Sequence, residues 1–223
     1  MLKKIYLLLK KIRLEIIASL IDPILMIEGI KVIEAKTNEE KEMVYHLRYK
    51  IYSEHRYVDS KIFPNKKMQD EEDSHSISFL ATKKGVPVGT LRLVLGDKPI
   101  DFPTFRMYDI DIDKFPLQLS NTGEISKLAI TKKNLSVQRY WVWLGLIKTA
   151  YKKSKELKLN NLIFFVSEKL NLRINKIFCT PTHLIPLLPE TEGTIKQRRY
   201  MANYFKIKKA QPYFATFSEK GIF

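Results

Sequence analysis

The stretch "SISFLATKKGVPVGTLRLVL" (residues 76–95) decides the fold, because it joins two strand-forming runs through the turn signal "KKG". It predicts a β-hairpin. Along the second run apolar and other residues alternate, which places leucines on one face of the strand and Arg92 on the other. An unpaired guanidinium in the middle of a sheet is energetically costly, so Arg92 requires carboxylates nearby.

The acidic residues expected to meet Arg92 lie on both sides of the hairpin. Four are consecutive, at residues 70–73, directly before the first strand, and Glu124 opens the next strand candidate. We therefore expect Asp70, Asp73 and Glu124 to converge on Arg92. A functional site and a buried ion-pair network that only fixes the loop use the same charges, and spacing alone does not separate these two interpretations.

Helix and strand signals extend on both sides of this region. Thr37 and Glu40 form a T-x-x-E capping box that opens a helix carrying Arg48. Ser167, at the end of the strand run "LIFFVS", is suited to cap the helix that follows. The whole order is β-α-β-β-β-α-β-α-β, which predicts an α/β layer with a mixed sheet.

Residues 1–21 predict a basic amphipathic helix, with an apolar stripe on one side and basic residues on the other. Charged residues interrupt every apolar run before the length that a bilayer requires, and no signal-peptide cleavage site stands out. Packing of this helix on its own domain is favoured over binding to an anionic membrane surface. We expect an N-terminal helix at residues 1–28 and a main domain at residues 29–223.

The charge balance indicates the kind of partner. The chain of 223 residues has a formal net charge of +15, which implies an anionic partner such as an acidic protein or a membrane surface. Nucleic acid is not expected, since "RRYMANYFKIKK" (residues 198–209) is more simply a strand or loop with a solvated edge. The single cysteine, Cys179, favours a reducing, cytoplasmic compartment, with the inner membrane face as an alternative location. Neither Cys179 nor the four histidines form a metal-ligand pattern.

Four ordered motifs resemble one group of enzymes. They are "HLRYKIY" (46–52), "DEEDSHSISFL" (70–80), "VGTLRLVL" (88–95) and "GEISKLAI" (123–130). The chain resembles the acyl-homoserine lactone (autoinducer) synthases and, more closely, the long-chain N-acyl amino acid synthases and PEP-CTERM/exosortase-associated acyltransferases of the GNAT superfamily. The resemblance implies a bacterial protein with a GNAT-like three-layer α/β fold, in which helices flank a central mixed, mostly antiparallel sheet.

This resemblance assigns site residues position by position. Arg92 and Glu124 match the family's strand arginine and the glutamate of its E-x-S-R motif, which implies a catalytic role for both. Arg48, Asp70 and Asp73 match its helix arginine and its paired aspartates, which implies substrate binding.

The chain departs from the family pattern at two positions. Lys127 replaces the arginine of the E-x-S-R motif, which keeps the charge but loses the planar fork of donors, and we expect it to bind substrate. Met68 stands where acyl-homoserine lactone synthases usually carry an acid. Glu71 and Glu72 have no counterpart in the family, so we expect them to be solvated loop residues.

The implied activity is N-acyl transfer from an acyl thioester to the amine of an amino acid or related small molecule. It requires no permanently bound cofactor and no metal ion. Glu124 is the expected general base, with His75 as the alternative, and a backbone N–H of the strand at 124–130 is expected to support the oxyanion.

The expected donor is a long-chain acyl group on an acyl carrier protein. Coenzyme A dependent members of the superfamily show Q/R-x-x-G-x-G/A at the turn into a helix, whereas the matching run here, "TKKNLSVQRYWVWLGL" (131–146), has no glycine pair. A coenzyme A dependent GNAT acetyltransferase and a catalytically idle module that binds acyl carrier protein or membrane are the alternatives.

Overall fold

The computed structural model describes Ile16 and residues 19–132, 136–178, 181–193 and 201–216. Its strands are Ile30–Glu34 (β1), Ser76–Lys83 (β2), Val86–Leu95 (β3), Thr122–Ile130 (β4), Asn161–Ser167 (β5), His183–Leu184 (β6) and Ala210–Thr216 (β7). Its helices are 19–27 (α1), Asn38–Glu54 (α2), Pro103–Met107 (α3), Ser136–Glu156 (α4), Glu168–Phe178 (α5) and Ala202–Lys208 (α6).

One mixed sheet forms the middle layer of the described chain. The strand order is β1-β2-β3-β4-β5-β7-β6. Neighbouring strands are antiparallel except β4 and β5, which are parallel. α2, α3 and α6 pack on one face of the sheet, the α2 face, and α1, α4 and α5 pack on the other, the α4 face. The predicted three-layer arrangement around a mixed, mostly antiparallel sheet is confirmed.

β4 is irregular on both of its edges. Its parallel pairing with β5 covers only residues 122–125 against 161–164, although both strands continue beyond. On the other edge a β-bulge shifts the register against β3. Within the bulge Lys127 adopts a left-handed backbone conformation, with a φ of 50°. A bulge changes the direction of the side chains that follow it, which matters for the site described below.

Local sequence signals explain where several elements begin. Thr37 Oγ1 accepts a hydrogen bond from the Glu40 N–H at 3.2 Å, and the Glu40 carboxylate accepts one from the Thr37 N–H, so the predicted capping box of α2 is confirmed. Lys84 and Gly85 both have positive φ, as a tight hairpin turn requires. Ser167 Oγ accepts a backbone N–H in the first turn of α5, as predicted.

The C-terminal region differs from its prediction. Residues 202–208, predicted as strand or loop, form α6, because Tyr204 and Phe205 both pack against Phe165 on the α2 face. Tertiary packing of aromatic rings outweighs the basic, solvated pattern of this stretch. The sequence also did not show α3 or β6, which are too short to produce a hydrophobic period.

α1 packs against the sheet domain through two apolar side chains. Ile21 and Leu25 are buried in the apolar cluster of the α4 face. The rest of the predicted amphipathic helix, residues 1–15, 17 and 18, lies outside the described residues, as does Cys179. No helix within the described ranges is both long and apolar enough to cross a membrane.

Candidate active site

Two arginines define a charged cluster on the α2 face. Strand alternation in β3 directs Arg92 towards α2, opposite to Leu91 and Leu93, which belong to the apolar cluster of the α4 face. Arg48 lies on the buried side of α2. Both arginines are fully buried, so each needs anionic partners inside the protein.

Asp70 and Asp73 supply these partners from the short 3-10 turn that includes Glu71–His75 and precedes β2. Arg48 Nη1 donates to Asp73 Oδ1 at 2.7 Å, and Arg92 Nη1 lies 3.2 Å from the same oxygen. Arg92 Nη1 also donates to Asp70 Oδ1. The Asp70 N–H donates to Asp73 Oδ2 at 3.0 Å, which fixes the two carboxylates relative to each other.

The bulge in β4 adds two adjacent side chains to the cluster. Arg92 Nε donates to Ser126 Oγ at 3.0 Å, and Lys127 Nζ lies 3.0 Å from Asp70 Oδ2. Neighbours in a regular strand point to opposite faces, so the bulge is what lets Ser126 and Lys127 face α2 together. Burial alone would raise the pKa of Asp70, but Lys127 and Arg92 hold that pKa well below its usual value. Asp70 is therefore ionised at neutral pH.

Glu124 lies on the same face of β4, two residues before Ser126, and is fully buried. The Thr104 N–H of α3 donates to Glu124 Oε2 at 3.0 Å. Among the described residues, Glu124 Oε1 has no hydrogen-bond partner. Burial raises the pKa of Glu124 to about 7, against the opposing effects of Thr104, Arg92 and Arg106. A carboxyl group with this pKa exchanges its proton near neutral pH, as a general base must.

Glu72 corrects a prediction. It is not a solvated loop residue, since its side chain is only 6% exposed and its Oε2 lies 3.7 Å from Arg92 Nη2. Its other oxygen pairs with Arg106 of α3. Glu71 is 85% exposed, as predicted, yet it also pairs with Arg106 at 2.9 Å. Sequence reasoning missed Arg106 because α3 lies far along the chain from the acidic turn and no local pattern connects them.

Two further residues of this region, His75 and Met68, lie outside the ion-pair chain. His75 is exposed, and its Nε2 lies 2.9 Å from the backbone oxygen of Asp101. This contact fits a structural role at the start of β2. Met68 is buried in the apolar cluster on the α2 face, so an apolar side chain occupies the position where an acid is usual in acyl-homoserine lactone synthases.

The predicted site residues are therefore brought to one face of the sheet. Five of them form a continuous chain of ion pairs, namely Arg48, Asp73, Arg92, Asp70 and Lys127. Glu124 lies beside this chain on β4. In the part of the chain that the structure describes, no group of three or more His, Cys, Asp and Glu side chains is arranged to hold a metal ion.

Solved structures of other proteins share this fold. The chain superposes on BjaI, described as a CoA-dependent acyl-homoserine lactone synthase, with a TM-score of 0.61 at 14% identity, over 86% of this chain and 84% of that one. The AHL synthase LasI gives 0.58 at 14%, over 85% and 90%. FeeM, an N-acyl amino acid synthase from uncultured soil microbes, gives 0.53 at 11%, over 84% and 89%. At these identities the likeness shows the fold alone.

A match to a family model shows the protein family, which the structural likeness alone does not. The model described as N-acyl amino acid synthase FeeM matches residues 43–171, which is more than half of the chain and includes every predicted site residue. The protein is an acyltransferase with a GNAT-like fold. It belongs to the FeeM family of N-acyl amino acid synthases. No curated protein matches its sequence.

Proposed function

We propose that the enzyme transfers a long-chain fatty acyl group from an acyl carrier protein to the amine of an amino acid or a related compound. The observation that carries this proposal is the position of Glu124, a buried carboxyl group with a pKa of about 7, beside a dense set of paired charges around Asp70. An amino acid presents both an ammonium group and a carboxylate, so its recognition requires both signs of charge in one place.

Asp70 and Lys127 are best placed to contact the acceptor. The Asp70 side chain is 23% exposed, more than any other in the ion-pair chain, and its ionised carboxylate suits an ammonium group. Lys127 Nζ, 3.0 Å from it, supplies positive charge for the acceptor's carboxylate. Arg48 and Asp73 are at most 1% exposed, so in this proposal they serve substrate binding indirectly, by holding Asp70 and Arg92.

The reaction is direct attack of the amine on the thioester carbonyl. Glu124, directly or through a water molecule, takes the proton that the ammonium group must lose. The nitrogen then bonds to the carbonyl carbon, and a backbone N–H of residues 124–130 stabilises the oxyanion. Collapse of this intermediate expels the thiolate, which takes up the second proton that the nitrogen gives up as the amide forms. Arg92 supports these steps by fixing Ser126 and Asp70.

A pocket beside α3 suits the acyl chain. Its volume is about 470 Å³, within the range of about 300–1,000 Å³ usual for small-molecule sites. Its lining is mostly apolar and includes Phe105, Tyr108, Ile110, Ile112 and Leu188. Phe105 directly follows Thr104, whose N–H contacts Glu124. The same helix, α3, therefore forms part of the pocket wall and contacts the proposed base.

The charge of the protein supports an acyl carrier protein as the donor. α4 and α5, which pack on the same face of the sheet, expose Lys152, Lys155, Lys169 and Arg173. Together with the net charge of +15, these residues favour docking of an acidic carrier protein. The CoA-dependent synthase BjaI favours the alternative, a coenzyme A thioester.

A salt titration with matched donors separates these alternatives. Acyl carrier protein and coenzyme A thioesters of the same long chain are compared while the Debye length falls from about 30 Å at 0.01 M salt to about 8 Å at 0.15 M. We expect the carrier protein to be the better donor at low salt and to lose much of its advantage at high salt. Equal or better use of coenzyme A at every salt concentration would overturn the carrier-protein assignment.

Mass spectrometry of lipid extracts tests the activity itself. Cells that express this chain should contain an N-acylated amino acid, whose mass identifies both substrates. Cells that express Glu124→Gln at the same level are the matched control and should lack it. No new lipid in several hosts with adequate expression would contradict the proposed reaction.

We also propose a cytoplasmic location, with residues 1–28 packed on an acyltransferase domain at residues 29–223. The burial of Ile21 and Leu25 in the α4-face cluster supports packing. Removal of residues 1–28 should then lower the Tm and leave binding to anionic vesicles unchanged. An unchanged Tm together with lost vesicle binding would instead indicate peripheral attachment to the inner membrane face.

A further inference from the structure

The proposed base is held by a helix of only five residues. Among the described residues, the only hydrogen bond to the Glu124 carboxylate comes from the Thr104 N–H of α3. A helix this short has no stability of its own in water, so its position depends on contacts with the rest of the protein. The alignment of Thr104 with Glu124 therefore depends on whatever fixes α3.

Arg106 supplies ion pairs that hold α3 in addition to the burial of Pro103, Thr104 and Met107. It lies two residues after Thr104, and its Nη2 pairs with Glu72 while its Nη1 lies 2.9 Å from Glu71 Oε2. Glu72 is buried, so its pair with Arg106 is shielded from solvent, whereas the pair with the exposed Glu71 contributes little. Glu72 is thus the residue that ties α3 to the acidic turn.

Glu72 also connects α3 with the ion-pair chain. Its Oε2 lies 3.7 Å from Arg92 Nη2, and Arg92 in turn pairs with Asp70. One carboxylate therefore stands between an arginine of α3 and the arginine that holds the acceptor-binding aspartate. This contact couples the position of the proposed base to the position of the proposed acceptor site.

We propose that Arg106 is a positioning residue, which holds α3 through Glu72 so that the Thr104 N–H stays aligned with the Glu124 carboxylate. This inference rests on the proposed role of Glu124 as the base. Loss of the Arg106 guanidinium removes the tie between α3 and the acidic turn and also removes a positive charge near Glu124. Both changes favour the protonated form of the carboxyl group, so they act in the same direction.

Two arginines on neighbouring elements act on the Glu124 carboxyl group. Arg92 of β3 and Arg106 of α3 both lower the pKa of Glu124 against the larger effect of burial. Glu72 lies between these two arginines. Without Arg106 one of these two opposing charges is lost, so we expect the pKa of Glu124 to rise.

The test measures kcat and KM against pH for the full chain with Arg106→Gln, Arg106→Lys and the control Lys114→Gln. Lys114 belongs to the same connection between β3 and β4, but it is 74% exposed and pairs with Asp111. We expect Arg106→Gln to lower kcat at pH 7 about tenfold and to move the rising limb of kcat upward by about half a pH unit or more. KM for both substrates should change less than about threefold, Arg106→Lys should restore part of kcat, and the control should match wild type.

A wild-type kcat profile in Arg106→Gln, with only its Tm lowered, would show a purely structural role and overturn the inference. If Arg106→Gln does not fold, Glu72→Gln removes the same ion pair with Arg106, and an unchanged kcat in that variant overturns the inference equally. Failure of the proposed function looks different, because Glu124→Gln would then retain its activity.

Discussion

At β3 the two faces of the sheet bury different kinds of side chain. On the α4 face, Leu91 and Leu93 of β3 pack among apolar residues. On the α2 face, Arg92, which lies between them in the chain, meets three carboxylates. Apolar burial stabilises the fold by about 25 cal/mol per Å², whereas buried ion pairs contribute little net stability because desolvation opposes their attraction. Both faces carry an apolar cluster that stabilises the fold, and the α2 face adds at β3 a charged group arranged for chemistry.

The largest expected effect comes from adjacent substitutions on the two faces. Arg92→Ala removes one arginine partner from Asp70, Asp73 and Glu72, so we expect a loss of about 3–5 kcal/mol in the free energy of unfolding and at least about a tenfold loss of turnover. Leu93→Ala, the matched control on the α4 face, should cost about 2–5 kcal/mol and leave turnover per folded molecule unchanged. Urea unfolding and acyl transfer measured on the same samples provide both quantities.

Two outcomes for this pair of variants would contradict the comparison between the two faces. Turnover lost equally in both variants would mean that activity follows general stability. Full turnover in folded Arg92→Ala would show that the ion-pair chain only fixes the acidic turn, which is the alternative that the spacing of the charges leaves open.

The second expected effect is a loss of turnover without a loss of folding. Glu124→Gln keeps the shape of the side chain and an acceptor for the Thr104 N–H, so the fold should persist while kcat falls about 100-fold or more with the loss of the base. Turnover with native substrates and circular dichroism check both points. A folded glutamine variant with wild-type turnover would remove Glu124 from the mechanism.

Much of this contrast could be predicted from strand alternation. A charge in the middle of the apolar strand β3 required partners, and the acids at residues 70–73 were near enough in sequence to provide them. The capping box at Thr37 and the cap at Ser167 were equally local, and local signals are the ones that a single sequence carries.

The parts that could not be predicted depend on contacts between distant segments. The left-handed conformation that brings Lys127 beside Ser126 belongs to a bulge, and no glycine or proline marks it in the sequence. The burial of Glu72 depends on Arg106 in a five-residue helix that has no hydrophobic period. A run of four acids shows that charge is concentrated, but not which members point inward.

The smallest effect concerns stability as a function of pH. Burial in the folded protein raises the pKa of Glu124 from its ordinary value of 4.5 to about 7. Between these two values the folded protein binds more protons than the unfolded chain, so stability falls as pH rises. The contribution of this group is fully present below the unfolded pKa and is lost as pH passes through about 7.

Substitutions at buried sites usually lower stability. Glu124→Gln removes this titration and should therefore raise stability at high pH. At pH 8 the wild type buries a carboxylate and the variant a neutral amide, so the variant should be more stable by about 2 kcal/mol. The pKa shift of Glu124 alone would imply a larger difference in stability. The amide NH₂ of the variant takes the place of Oε1, which has no hydrogen-bond partner within the described residues, so the buried NH₂ group opposes part of the gain. At pH 5 the difference should be near zero, and urea unfolding at pH 5, 6, 7 and 8 follows it. A difference that stays constant over this range would mean that Glu124 titrates like an ordinary carboxyl group, and the α2 face would then lose its proposed base.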